Sequence, residues 1–342
     1  LDMSEAGAAT FNNKIIATEL DISGDIDVDG TANLDVVDID GAVNLGGTLT
    51  FGDSGFIIGN STNGIRINDS ANSVNLIKIF DDGSFQTVTA GTNNLRLGLN
   101  AGNSILSGAV QNVVLGDDAG TAITTGDNNV CIGYQAGDAI SVGDNNVAIG
   151  KNALGAEDGH DFNIAIGSNA LAAQNAGADA YNIAIGHNAG TSITSGVQNT
   201  LIGGQAGDAI TDADFNVAVG HNALSVNVLG SKSVAIGHNA LLFQNPASTA
   251  DMHNLAVGHG AGAQITTGTQ NTLIGALAGD AADTGAANVA VGYQTLTADT
   301  KGQNNVAIGH NALATQNFTS ATNTYNTAVG SQAGLVISTG VE

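Results

Sequence analysis

Asp25, Asp27 and Asp29, followed by Gly30, place three carboxylates at alternate positions. Alternate carboxylates converging on one hard cation open a calcium loop, so this stretch is a candidate Ca2+ site. A calcium-binding helix–loop–helix would also need Glu at the twelfth position, where this chain has Val36. Ile26 and Val28 between the acids fit equally well a short strand whose Asp residues face water. Histidine is the second candidate ligand, and His187, His221, His238, His259 and His310 fall at one address of a repeat. Neutral imidazoles bind metal, and three chains meeting at an axis would bring three together. Other copies carry Asp117, Tyr134, Lys151, Ser168 or Ala276 there, as an exposed corner would. Cys131 is the lone cysteine, so no intrachain disulfide exists, and its setting predicts a small buried hydrophobe. No Ser/His/Asp or Cys/His set recurs at a motif spacing, and glycines without a following helix exclude phosphate loops. Acids are scattered over corners without an apolar cleft, which argues against a paired-carboxylate glycosidase. The Thr pairs 124–125 and 266–267 are too sparse for an ice-binding ladder.

What positions these residues is a repeat. Coils open at Asn94, Asn112, Asn129, Asn146, Asn163, Asn182, Asn199, Asn216, Ser233, Asn254, Asn271, Asn288, Asn305 and Asn326. Most steps are 17 residues, and such a fixed period marks stacked architecture. With the opening residue as position 0, position 4 is Gly in all fourteen copies, and position 7 is Ala in all but one, Thr295. Gly and Asn recur too often for ten uninterrupted helical residues. A strand of four or five residues cannot bury its apolar face alone, so neighbouring coils must stack on it. The expected fold is all-β, a parallel β-solenoid or β-roll with one 17-residue coil per repeat over residues 94–342.

Two rows carry the packing expectation. Positions 1 and 3 are β-branched in most coils and share one strand face, which is taken to point inward. Position 2, Ala in nine coils, points the other way, and its small apolar character predicts contact with other copies of the chain. Position 8 alternates between Gly and Leu. Seven of the eight Gly coils carry Ile at position 11 and the eighth carries Ala282, whereas all six Leu coils have a polar residue there. Each coil thus supplies about one branched plug, which a close-packed interior requires.

The 342 residues hold 48 Gly and no Trp, unlike an ordinary globular core. A net charge of −24 repels nucleic acid and anionic membranes, and no apolar run is long enough to span a bilayer. Residues 1–93 lack the period and read as short strands and turns, a β-rich N-terminal region. From Asn112 a four-coil unit recurs over 112–181, 182–253 and 254–325, followed by a final coil at 326–342. The fourth coil of each unit is longer by a loop that begins Gln-Asn and ends on an aromatic or His. Insertions in solenoids go to surface loops, often on the binding face. Candidate receptor contacts are therefore Asn175, Asp179, Tyr181, Asn245, Met252, His253, Asn317, Phe318 and Tyr325.

The Asn-x-Ala-Ile-Gly-x-x-Ala copies at 146–153, 163–170 and 305–312 resemble the head repeats of trimeric autotransporter adhesins, whose period is nearer 14. The 254–268 coil resembles the repeat stalk of bacteriophage tail fibres, in which a self-cleaving C-terminal chaperone often follows the repeats. The resemblance implies a homotrimeric fibre for attachment at a virion surface or outside the cell. It implies a glycan or protein receptor on a host, and processing at Glu342. A non-enzymatic phage fibre segment is the leading expectation. The alternatives are an extracellular structural filament, a bacterial trimeric adhesin and a depolymerase tailspike.

Overall fold

A computed structural model describes residues 91–341 and, before them, the backbone of three strands, Ile65–Asp69, Val74–Ile79 and Phe85–Thr87. These three pair antiparallel in chain order. Asp25, Asp27 and Asp29 lie outside the described residues, as does most of the N-terminal region.

Residues 91–341 form a parallel β-solenoid. Each coil contributes one three-residue strand, and the fourteen strands form one parallel sheet in strict sequence order. Equivalent positions align from coil to coil, as in Val147↔Ile164, Ala148↔Ala165 and Ile149↔Ile166. Backbone ladders continue around the corners, for instance from Asn152 N to Tyr134 O (2.9 Å) and from Gly137 N to Ala153 O (2.9 Å). Most polar backbone groups in the stack thereby find partners in the coil above or below.

Position 4 has to be glycine for two reasons. Its φ lies between 126° and 143° in every coil, a region L-residues avoid. A Cβ on Gly133 would also stand 2.8 Å from the carbonyl carbon of Gly150 in the next coil. The residue before each opening position and the residue at position 6 are also left-handed in every coil. Asn, Gln and Asp fill many of these places, as expected for that region.

The strand faces are the reverse of the sequence expectation. Position 2 points into the solenoid: Val114, Cys131, Ala148, Ala165 and Leu201 are fully buried. Positions 1 and 3 point outward and are partly exposed, with Ile185, Ile202, Ile236, Ile274 and Ile308 at 36–38%. The cause is the narrowness of the coil. Its interior must also hold the Ala of position 7, the plug and the side chain of position 0, so the strand can send inward little more than a methyl group. Leu201 and Leu273 enter only where position 8 is Gly.

The plugs behave as expected. Ile123, Ile140, Ile193, Ile210 and Ile265 are fully buried in Gly coils, as are Leu154, Leu171, Leu224, Leu241 and Leu313 in Leu coils. Position 8 is left-handed whichever residue holds it: Gly120 has φ 50° and Leu154 has φ 52°. Each such Leu costs about 1–2 kcal/mol of backbone strain, which its buried side chain must offset.

Candidate functional surfaces

The opening asparagines build an internal ladder that sequence reasoning did not identify. Asn112 Oδ1 accepts from the backbone N–H of Asn129 (2.9 Å), while its Nδ2 donates to Gly126 O (2.8 Å). The same pair of bonds recurs at Asn129 and Asn146. Parity could have revealed it, because positions 0 and 2 share a strand face.

In the long coils this ladder is completed by glutamine. Gln174 Nε2 donates to Asn163 Oδ1 (2.9 Å), and its Oε1 accepts from Asn182 Nδ2 (2.9 Å). Gln244 and Gln316 likewise accept from Asn254 and Asn326 at 2.9 and 2.7 Å. All three glutamines are fully buried. The shared Gln of each long loop is therefore structural, and it fills the space that Leu at position 8 leaves at position 11.

Of the nine receptor-contact candidates, seven are exposed: Asn175, Asp179, Tyr181, Asn245, His253, Asn317 and Tyr325. Met252 and Phe318 are buried, 1% and 8% exposed, and are not available to a receptor in this fold. Met252 is held in the stack by its N–H to Ser231 O (2.9 Å), just after the parallel pairing of Gly230–Ser231 with Ala250–Asp251. Phe318 is held by its N–H to Asp299 Oδ1 (3.2 Å). Asn317 is partly committed, since its Oδ1 accepts from Thr300 Oγ1 at 3.0 Å.

Tyr181, His253 and Tyr325 occupy the same address, the left-handed residue before an opening position, with φ of 51°, 53° and 49°. Four coils at the inter-strand spacing put successive members roughly 19 Å apart. Phe162 and Phe215 stand in the same row, 42% and 46% exposed. Phe162 stacks on Tyr181 with ring centroids 5.2 Å apart and planes 3° from parallel. Sequence reasoning missed both because they lie in ordinary 17-residue coils. Their shared offset from the next asparagine was the available signal.

The position-5 histidines are exposed, as a corner requires. His221, His238 and His259 stack on successive coils with centroids 5.6 and 5.2 Å apart. His187 is separated from them by Gly204, and His310 stacks on Tyr293 at 5.7 Å. Asp127, Asp144 and Asp161 form a row that ties successive coils together. Asp144 Oδ1 accepts from Asp127 N, and Asp161 Oδ1 accepts from Asp144 N. Cys131 is fully buried, and desolvation, reinforced by Asp138, pushes its thiol up to about 12. So high a value removes the thiolate that nucleophilic chemistry needs.

Among the described residues no helix is long and apolar enough to cross a membrane. Comparison with protein-family models, with curated proteins and with solved structures gives no match.

Proposed function

We propose that the chain is a non-enzymatic segment of an attachment fibre, of the phage tail-fibre kind, that acts as a homotrimer. One observation carries the reading: the outward face of the fourteen-strand sheet is a two-row band of mostly Val, Ile and Leu. Thirteen steps at the inter-strand spacing make the band roughly 62 Å long. Contiguous apolar patches beyond a few hundred Å2 mark interaction surfaces. An occupant has to match a ladder of about 4.8 Å spacing over that whole length, which another copy of the same sheet does. The Val and Ile rows at positions 1 and 3 thus take the place of position 2 as the self-contact surface. The resemblance to trimeric β-roll fibres supports three as the number of copies.

The exposed aromatic row and the long loops supply contacts for a host-surface glycan or protein. Tyr and Phe give large contact area at low entropic cost, and repetition along three chains would add weak contacts by multivalency. Light scattering should give about three times the chain mass of 33.8 kDa. A stable monomer at micromolar concentration would overturn the trimer. Long uniform polymers in electron micrographs would favour the extracellular filament instead.

A further inference from the structure

In the third coil of each four-coil unit, the position-11 side chain closes a turn by accepting the N–H of position 14. Asn227 Oδ1 accepts from Gly230 N (3.0 Å), and Asp299 Oδ1 from Gly302 N (2.9 Å). In the first unit Glu157 Oε1 accepts from His160 N (3.1 Å). The turn therefore needs only a short amide or carboxylate, and glycine at position 14 suffices. Yet where the sister coils read Asn227-Val-Leu-Gly230 and Asp299-Thr-Lys-Gly302, this one reads Glu157-Asp158-Gly159-His160. Glu157 closes the turn, and Asp158 and His160 add two ligating side chains that the turn does not require.

Their geometry is compact. One ligand atom from each of Glu157, Asp158 and His160 lies within 4.8 Å of the other two. His160 Nδ1 stands 2.7 Å from Glu157 Oε1 and 3.9 Å from Asp158 Oδ1. The sister coils have no room for such a set: a Cβ on Gly230 would stand 2.5 Å from Asn227 Oδ1. The extra methylene of Glu157 sets its carboxylate farther out and admits the imidazole. Glu157 is fully buried, and Gln174 Nε2 donates to its Oε2 (3.3 Å), which orients the carboxylate from behind. His160 and Asp158 are 19% and 59% exposed, so an ion has a path in from solvent.

The geometry points to a divalent transition-metal site at Glu157, Asp158 and His160, with Zn2+ as the ion best matched to one imidazole and two carboxylates. Tetrahedral ligands about 2.1 Å from the ion stand about 3.4 Å apart. The cluster brackets that spacing, and the ion takes the place of the proton between Nδ1 and Oε1. Three protein ligands leave a fourth position for water or for a group from outside the chain. A chain of charge −24 draws cations towards it.

The test is titration of the whole chain with Zn2+ alone, against a chelator of known affinity, in the wild type and in Asp158→Val/His160→Gly. That double variant carries residue types the sister coils already fold with, and thermal unfolding verifies that it is folded. A third protein, His221→Ala/His238→Ala/His259→Ala, removes the exposed imidazole stack. The expected result is loss of one bound Zn2+ per chain, or at least a tenfold weaker affinity, in the double variant, with that ion retained in the imidazole-stack variant. Equal uptake by the wild type and the double variant overturns the proposal, as does loss only on removing the stack. Absence of any bound ion reduces the Glu157–His160 pair to a hydrogen bond that fixes the turn, and overturns it too.

Discussion

Gly120 and Ile123 exclude each other's alternatives: a Cβ on Gly120 would stand 2.8 Å from Ile123 Cδ1. The same conflict arises between Gly137 and Ile140 (2.9 Å) and between Gly207 and Ile210 (2.8 Å). In thirteen of the fourteen coils one internal volume is filled either from position 11 by Ile or from position 8 by Leu. This is the physical content of the alternation along the sequence. Removing the plug should cost what a buried large-to-small change costs, about 2–5 kcal/mol for Ile123→Ala. Urea unfolding is the measurement. Gly120→Ala should also destabilise, because it adds a left-handed Cβ and crowds Ile123.

Ala282 is the one Gly-coil position 11 without a branched side chain, and a cavity of about 10 Å3 lies beside it, lined in part by Leu273, Leu296, Asn288 and Asp299. Leu273 leans over Gly279 and fills part of the missing volume. Ala282→Val adds two carbons to this space and should raise stability by about 1 kcal/mol. A loss of stability instead would mean that Leu273 already closes the gap, or that water bridges the polar lining.

Asp138 lacks a donor that its counterparts have. Asp208 accepts from Ser225 Oγ (2.6 Å) and Asp280 from Thr297 Oγ1, each one coil on. In the first unit that place is Gly155, and Asp138 Oδ1 is buried without a partner. Burial, with Asp118 adding repulsion, raises the Asp138 pKa against the pull of nearby backbone N–H groups. A carboxyl raised in the fold binds its proton more tightly folded than unfolded. Its stabilising contribution is full below the ordinary value near 4 and is lost as pH rises through the folded value. Asp138→Asn should therefore stabilise the chain at pH 7, with the gain vanishing below about pH 4. Gly155→Ser should restore the missing donor once the Asn152 amide swings aside, and should lower the Asp138 pKa. Thermal melts across pH 3–8, with carboxyl NMR titration, decide both.

Cys131 should resist alkylation in the folded chain at pH 8, because its thiol is buried and its pKa is pushed to about 12. Modification should appear only with unfolding, at the rate of an ordinary exposed thiol. Rapid labelling of the native protein would show that the coil at Asn129 opens locally.

Much of this fold is legible in the sequence because each rule is written many times. The coil length, the parallel stack and the plug exchange all follow from period and volume. The direction of the strand does not, since β-branched residues favour a strand whichever way they face. What decides it is the width of the coil, a property of the closed cross-section that no single repeat spells out. Asn146 and Ala148 lie two apart, so one buried row implies the other, but the amide row becomes a core feature only once its partners are seen. The Glu157–His160 cluster has no period and shows itself only against sister coils that lack it.

The aromatic row gives the sharpest test of attachment. Removing the long loops outright would also delete Met252 and Phe318, which are buried, so shortening confounds contact with folding. The cleaner variant combines Tyr181→Ala, His253→Ala and Tyr325→Ala, since all three side chains are exposed and none is in the apolar core. Their left-handed backbone is held by bonds to neighbouring coils, such as Asn182 N to Asn163 Oδ1 (3.2 Å) just after Tyr181. The melting temperature should therefore change little. If the row makes the contact, binding to host cells should fall at least tenfold, more than any single change predicts, because repeated contacts act by multivalency. Adding Phe162→Ala should deepen the loss by removing the face on which Tyr181 stacks. Full binding by the four-site variant, with its mass and melt unchanged, would show that the row is a structural trim and that attachment uses another part of the protein.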